Sequence, residues 1–154
     1  MADYRITGIP HSLATEARES LKSPQYGHPA HIELATGYGP CRLCLRTFEE
    51  GVEQRLLFTY QPFTDPGALP APGPVFIHLE ACERYDGNEL PEALRALPLA
   101  LDGYGTGGEL LVQRRVATAA LEDVMARVFE PEAVRYAHLR NAEAGCFIAR
   151  IDRC

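Results

Sequence analysis

The clearest hydrophobic pattern in the chain lies close to the C-terminus, in residues 118–130. Apolar residues recur there at spacings of three and four, which is the period of a helix with one buried stripe. The stripe consists of Leu121, Val124, Met125, Val128 and Phe129. Thr118 can cap the start of this helix, and Pro131 ends it. The pattern predicts one main helix that covers a face of the fold.

Most of the other apolar runs predict β-strands, because they are short and separated by turn-forming residues. The predicted strands cover residues 4–8, 41–48, 54–60, 75–79, 99–104 and 109–116. Two shorter helices are predicted, one capped by Ser12 and running to about Lys22, and one over residues 88–97. Together these elements predict a single α+β domain over residues 1–154, with a mainly antiparallel sheet, the main C-terminal helix and the short helices.

Three further segments are predicted to be turns or loops. Residues 23–40 are rich in turn formers, and residues 61–74 contain five prolines, which exclude a helix. Residues 103–108 are rich in glycine, as in a phosphate-binding loop. Such a loop leads from a strand into a helix, whereas strands are predicted on both sides of this one, so a hairpin turn is favoured.

The C-terminal segment, residues 136–153, is predicted to form a β-hairpin. A three-residue loop at 143–145, with Gly145 in the left-handed conformation, fixes the register of the two strands. The predicted pairs are Ala142 with Cys146, Arg140 with Ile148, His138 with Arg150 and Tyr136 with Asp152. A two-residue loop would mix polar and apolar side chains on both faces, so the pattern selects the first register.

This register sorts the hairpin side chains into two faces, because successive residues of a strand point to opposite sides. The apolar face carries Ala137, Leu139, Phe147, Ala149 and Ile151. The polar face carries Tyr136, His138, Arg140, Cys146, Ile148, Arg150 and Asp152. A polar face is common on the solvent side of an antiparallel sheet, but this one also has the residue types of a binding site.

Two functional hypotheses use the polar face. In the leading one, His138, Arg140 and Arg150 bind a small anionic ligand, and Arg42 contributes from a neighbouring strand, because the arginine fork matches carboxylate and phosphate groups. In the second, the protein is an enzyme in which His138 acts as acid or base and Cys146 as a thiolate. The predicted register separates His138 from Cys146, which disfavours direct contact between them.

A third hypothesis is a zinc-stabilised interaction module. The chain contains Cys41-x2-Cys44, and His78 is followed by Cys82 four residues later. If residues 41–48 form a strand, Cys41 and Cys44 point to opposite faces, so only Cys44, His78 and Cys82 converge. Apart from this zinc ion, no cofactor is predicted.

Charge and composition exclude several classes of protein. The net charge of −6 argues against a non-specific nucleic-acid binder. No apolar run approaches the roughly 20 residues of a membrane span. The N-terminus lacks the apolar segment of an export signal, and an odd number of cysteines, five, favours reduced thiols. We therefore expect a cytoplasmic protein with neither nucleic acid nor membrane as a partner.

Several segments together resemble a small bacterial family known only as domain of unknown function 1203. They lie in the same order along nearly the whole chain: Tyr4-Arg-Ile-Thr-Gly8, Pro40-Cys-Arg-Leu-Cys-Leu45, Gly73-Pro-Val-Phe-Ile-His78 with Cys82, Gly103-Tyr-Gly-Thr-Gly107, His138-Leu-Arg-Asn141 and Gly145-Cys-Phe-Ile-Ala-Arg150. The resemblance implies a stand-alone cytosolic protein and supplies no activity. The similar segments include Arg42, His138, Asn141, Gly145, Cys146 and Arg150. Some relatives carry serine at the position of Cys44, which implies that a zinc site using Cys44 is not general to the family.

Overall fold

The computed structural model describes residues 4–37, 39–63, 71–116 and 121–154. Within these ranges it contains nine β-strands, all paired antiparallel, and two α-helices. The predicted α+β class with a mainly antiparallel sheet is therefore confirmed. Neither helix has the length and apolar character needed to cross a bilayer, a finding that covers the described residues.

The larger of two sheets has six strands. They are β1 (Tyr4–Thr7), β5 (Asp86–Gly87), β6 (Leu99–Tyr104), β7 (Leu110–Val116), β8 (Tyr136–Asn141) and β9 (Phe147–Arg153). Their order across the sheet is β5-β1-β9-β8-β6-β7, so the C-terminal hairpin β8–β9 lies at its centre. The glycine-rich segment joins β6 to β7 as a hairpin, as predicted, and Gly105 N–H donates to the carbonyl of Glu109 (2.9 Å).

The smaller sheet has three strands in the order β2-β3-β4. They are β2 (His31–Leu34), β3 (Gln54–Tyr60) and β4 (Gly73–His78). Strand β2 lies inside the segment predicted to be an irregular loop, so that prediction is wrong. Residues 31–34 do alternate polar and apolar side chains, but over four positions only and inside a segment rich in turn formers, and three of the four side chains are exposed.

The helices differ from their predicted bounds. Helix α1 covers His11–Ser20 and follows Pro10, so the predicted Ser12 cap is wrong. Helix α2 covers Leu121–Val128 and buries Leu121, Met125 and Val128, but residues 117–120, including the proposed cap Thr118, lie outside the described residues. A single main helix over 118–130 is therefore not confirmed. The predicted helix at 88–97 is reduced to a 3-10 turn at Glu92–Leu94.

Two hydrophobic cores lie beside the two sheets. The first joins the larger sheet to α2 and includes Leu101, Leu139 and Met125. The second joins the smaller sheet to α1 and includes Leu56 and Ile77. Residues 41–45 connect the two cores, because the side chain of Leu43 belongs to the second core and that of Leu45 to the first.

The C-terminal hairpin has the predicted register over its first half and a bulge beyond it. His138 lies opposite Arg150 as predicted, but a shift after Leu139 places Arg140 opposite Phe147 rather than Ile148. A bulge reverses the inward and outward alternation beyond it. Phe147 consequently packs on the His138 ring, at 5.0 Å between ring centroids, while Ile148 enters the first core. The predicted faces of these two residues were wrong for this reason.

Candidate functional site

Residues 41–45 form a tight turn, not the strand that the sequence predicts. Leu45 N–H donates to the carbonyl of Cys41 (2.9 Å), and Cys41 N–H donates to the carbonyl of Arg46 (3.0 Å). The turn brings Cys41 and Cys44 to the same side of the chain. The exclusion of Cys41 from a metal site was therefore wrong, because it assumed extended backbone.

Leu45 takes the left-handed conformation that closes this turn, with φ of 59°. For a residue other than glycine this conformation costs roughly 1–2 kcal/mol. The Leu45 side chain is fully buried in the first core, and burying a leucine contributes about 2 kcal/mol. Core packing offsets the cost, so the turn needs no glycine after Cys44.

Four potential metal ligands converge at this turn. The ligand atoms of Cys41, Cys44, His78 and Cys82 all lie within 4.8 Å of one another. Cys41 Sγ is 3.9 Å from Cys82 Sγ, and Cys44 Sγ is 3.4 Å from His78 Nδ1. In a tetrahedral zinc site with Zn–S bonds of about 2.3 Å, two sulfurs lie about 3.8 Å apart. None of the cysteines is in a disulfide, so the group could hold a metal ion.

Glu53 holds the imidazole of His78 from the far side of the cluster. Its Oε2 lies 3.2 Å from His78 Nε2, which leaves Nδ1 facing Cys44. The ring of Phe48 packs against that of His78 at 4.5 Å between centroids. A carboxylate behind a histidine is the usual support of a metal-binding imidazole, because it fixes the tautomer and the ring orientation.

Arg18 of α1 connects the cluster to the helix. Its Nε donates to the carbonyl of His78 (3.0 Å), and its Nη2 lies 3.3 Å from Cys82 Sγ. Three thiolates around a divalent ion leave a net charge of about −1, which a neighbouring guanidinium compensates. Arg18 would thus supply the opposite charge to an anionic metal site formed here.

The protonation of the cluster follows from its burial and its short contacts. Burial raises the pKa of the Cys41 thiol, whereas hydrogen bonds from Cys41 and Cys82 lower the pKa of Cys44. The hydrogen bond with Cys44 raises the pKa of His78 to about 10. The cluster therefore favours a Cys44 thiolate beside a protonated His78, and a bound metal ion would displace the protons that remain on the other ligands.

The predicted anion-binding residues divide into separate environments. Arg140 pairs with the buried Asp102 at 2.7 Å. Arg42 is itself buried, and donates to the carbonyl of Phe147 (2.8 Å) and to Cys146 Sγ (3.1 Å). Of the four predicted residues, only His138 and Arg150 line a common cavity, which lies beside the larger sheet. Arg42 lies at the junction of the two cores, not on the polar face.

His138 lies in a cluster of aromatic rings. The rings of Phe63, Tyr104, Tyr136 and Phe147 all lie within 5.4 Å of it, centroid to centroid. Phe63 comes from the proline-rich segment, so the described beginning of that segment covers part of the predicted polar face. Over the part of the chain that the structure describes, no hydrogen bond joins His138 to Cys146, so the two proposed catalytic groups are not brought together.

Sequence reasoning overlooked four residues of these two environments. Cys41 was set aside, and three others were not considered: Glu53, Arg18, and Arg84, which lines the same cavity as His138 and Arg150. The Cys-x2-Cys spacing was a usable signal for Cys41, since two cysteine sulfurs three residues apart can bind the same metal ion only where the backbone turns. Glu53, Arg18 and Arg84 carry no comparable signal, because they reach these sites from α1 and from loops distant in sequence.

Comparison with known proteins supports one assignment. No match to the chain was found among curated proteins or among solved structures. The family described as "Protein of unknown function (DUF1203)" matches residues 38–153, a stretch that includes all four potential metal ligands. Because the match spans most of the sequence, the chain belongs to the DUF1203 family.

Proposed function

We propose that the protein binds one Zn²⁺ ion through Cys41, Cys44, His78 and Cys82, and that this ion stabilises the fold. The observation that carries the proposal is the convergence of four ligand atoms within 4.8 Å. A Cys₃His set suits zinc, which prefers thiolate and imidazole ligands in tetrahedral geometry. Four protein ligands fill the coordination sphere, and this favours a structural role over a catalytic one.

The position of the cluster explains what the ion would stabilise. Ile9 N–H donates to the carbonyl of Arg42 (2.9 Å), and Tyr85 N–H donates to that of Leu43 (2.8 Å). These bonds attach the end of β1 and the start of β5 to the turn between Cys41 and Cys44. Zinc would thus fix the segment on which both cores meet, giving a zinc-stabilised module.

The direct test is the metal content of tag-free protein purified without chelators. We expect about one zinc per chain by inductively coupled plasma mass spectrometry, with Cys146 and Cys154 titrating faster than the other three thiols. Cys44→Ser should lose the metal. Cys154→Ser, at an exposed cysteine outside the cluster, is the matched control and should keep it.

Removal of the metal should also lower stability, because binding free energy that exists only in the folded state adds to the free energy of unfolding. We expect a strong chelator to lower the melting temperature of the wild type and of Cys154→Ser, and to leave Cys44→Ser unchanged. Protein without any metal, with five equally reactive thiols, would refute the proposal. If the purified protein contains iron instead of zinc, the four residues form a metal site as proposed, but for a different ion.

A further inference from the structure

A second candidate site is a cavity of about 290 Å³ that is lined by residues of β1, β8 and β9. Three arginines, Arg5, Arg84 and Arg150, line it, together with a single carboxylate, Asp152. Its volume is at the small end of the range for pockets that bind small molecules. A lining with three cations and one anion attracts negatively charged ligands.

The three arginines differ in how far they are already paired. Arg5 donates to Asp86 (2.7 Å), and Arg150 pairs with Asp152 at 3.1 Å. Arg84 is exposed and uses Nε on the carbonyl of Gly8 (3.0 Å). No carboxylate of the described residues lies within ion-pair distance of Arg84. Its remaining donors are available to a ligand, and Arg150 supplies a second positive charge in the same cavity.

His138 lines the same cavity and has an unused hydrogen-bonding atom. The residue is only 4% exposed, and its Nε2 has no hydrogen-bond partner among the described residues. Burial and the charge of Arg150 lower its pKa to about 3, so the ring is neutral near pH 7. A buried polar atom without a partner is costly, and a bound molecule is one way of satisfying it.

The rest of the lining is partly apolar. The rings of Tyr60 and Phe147 pack at 5.6 Å between centroids, and burial raises the pKa of Tyr60 to about 12, so its hydroxyl stays protonated. Pro10, which precedes α1, also lines the cavity, and the first turn of that helix contains no acidic residue. The positive end of the helix dipole adds to the charge of the arginines.

We propose that this cavity binds a small organic oxyanion, with a carboxylate or phosphate head on Arg84 and Arg150 and an apolar body against Tyr60 and Phe147. The site shares His138 and Arg150 with the one predicted from sequence, but Arg84 replaces Arg42 and Arg140. It contains none of the four metal ligands, so it goes beyond the proposed zinc module.

The test is an NMR titration of the metal-analysed protein with benzoate and with phenyl phosphate at constant ionic strength, using sodium chloride as the reference. We expect saturable shifts of the Thr7 and Gly8 amides and of the His138 ring nitrogens. Arg84→Gln and Arg150→Gln should each raise Kd at least tenfold. Arg114→Gln, an exposed arginine on β7, is the matched control and should bind as the wild type does.

Each result decides the proposal. Tighter binding of phenyl phosphate assigns a phosphate ligand, and tighter binding of benzoate assigns a carboxylate. If the NMR spectrum of Arg84→Gln shows that this variant is unfolded, the Kd of Arg150→Gln alone tests the proposal. Absence of saturable shifts with both probes would overturn the proposal, as would equal weakening by Arg114→Gln. Because zinc content is measured on the same sample, an absent metal and an absent anion site give separate readouts.

Discussion

Glu53 contacts one ring nitrogen of His78, and the other ring nitrogen of His78 faces Cys44. The two contacts are 3.2 Å from Glu53 Oε2 to His78 Nε2 and 3.4 Å from His78 Nδ1 to Cys44 Sγ. A histidine held in this way presents a single nitrogen to a metal ion. This arrangement links a surface turn to the buried cluster, and it leads to the first prediction.

Glu53→Gln should weaken zinc binding by about 10- to 100-fold, because the ring of His78 loses its charged partner. The amide oxygen of glutamine can still accept the Glu49 N–H that Glu53 Oε1 accepts in the wild type (2.8 Å), so the turn should persist. Competition with a chromophoric zinc chelator measures the affinity. Glu50→Gln, at an exposed neighbouring carboxylate, is the control, and an equal loss there would argue against a specific role for Glu53.

His138→Phe should change how stability depends on pH. Burial and the charge of Arg150 lower the pKa of His138 from 6.5 to about 3. Between these values the unfolded chain binds a proton that the folded protein does not, so the free energy of unfolding falls as pH falls. The slope is about 1.4 kcal/mol per pH unit.

The measurement is urea unfolding of both proteins between pH 7 and pH 5. We expect the wild type to lose about 1.4 kcal/mol more per pH unit than His138→Phe over the lower part of this range. The carboxylates are common to both proteins, so their contribution cancels in the difference. Equal slopes would mean that His138 takes up its proton in the folded state as easily as in the unfolded one.

Arg140→Gln should lower stability and leave anion binding unchanged. The substitution removes the ion pair of the buried Asp102, which keeps its hydrogen bond from Gln113 (3.2 Å) but loses its charged partner. Leaving a buried acceptor under-satisfied costs about 1–3 kcal/mol. Urea unfolding gives the stability, and titration with phenyl phosphate gives the affinity. A loss of affinity without a loss of stability would return Arg140 to the binding site.

Gly8→Ala should disrupt the attachment of β1 to the tight turn at residues 41–45. A Cβ at Gly8 would lie 2.1 Å from the carbonyl oxygen of Leu43 and 2.6 Å from that of Arg42. These are backbone atoms between Cys41 and Cys44, so they can move only if the turn moves. We expect a loss of about 3 kcal/mol, at the upper end for overpacking, and weaker zinc binding.

Thermal melting and zinc competition check this outcome. Gly73→Ala is the matched control, because no heavy atom lies within 4 Å of the added Cβ and its φ is not in the left-handed region. Wild-type zinc affinity in Gly8→Ala would show that the turn holds its shape independently of β1.

Local patterns in the sequence were sufficient for much of the larger sheet. The β6–β7 hairpin follows from a glycine-rich turn between apolar runs, and the pairing of His138 with Arg150 and the left-handed Gly145 (φ of 82°) are as predicted. The loop itself is one residue longer than predicted, because Asn141 and not Ala142 bonds to Cys146 (2.9 Å). Strand β2 and the bulge after Leu139 could not be found in this way. The alternation in β2 covers only four residues between turn formers, and the bulge depends on which side chain the neighbouring core accepts.

For the site, the sequence determined which residues could bind a metal, and the tertiary structure decided which of them meet. Cys44, His78 and Cys82 were predicted from residue type and spacing, whereas Cys41 was set aside and joins them only in the folded chain. Their convergence depends on Leu45, whose burial in the first core offsets a left-handed backbone that local propensity opposes. Arg84 likewise reaches the cavity of Arg150 only because its Nε is held by Gly8, which is 76 residues earlier in the chain. Such contacts depend on long-range packing, which no local pattern of the sequence records.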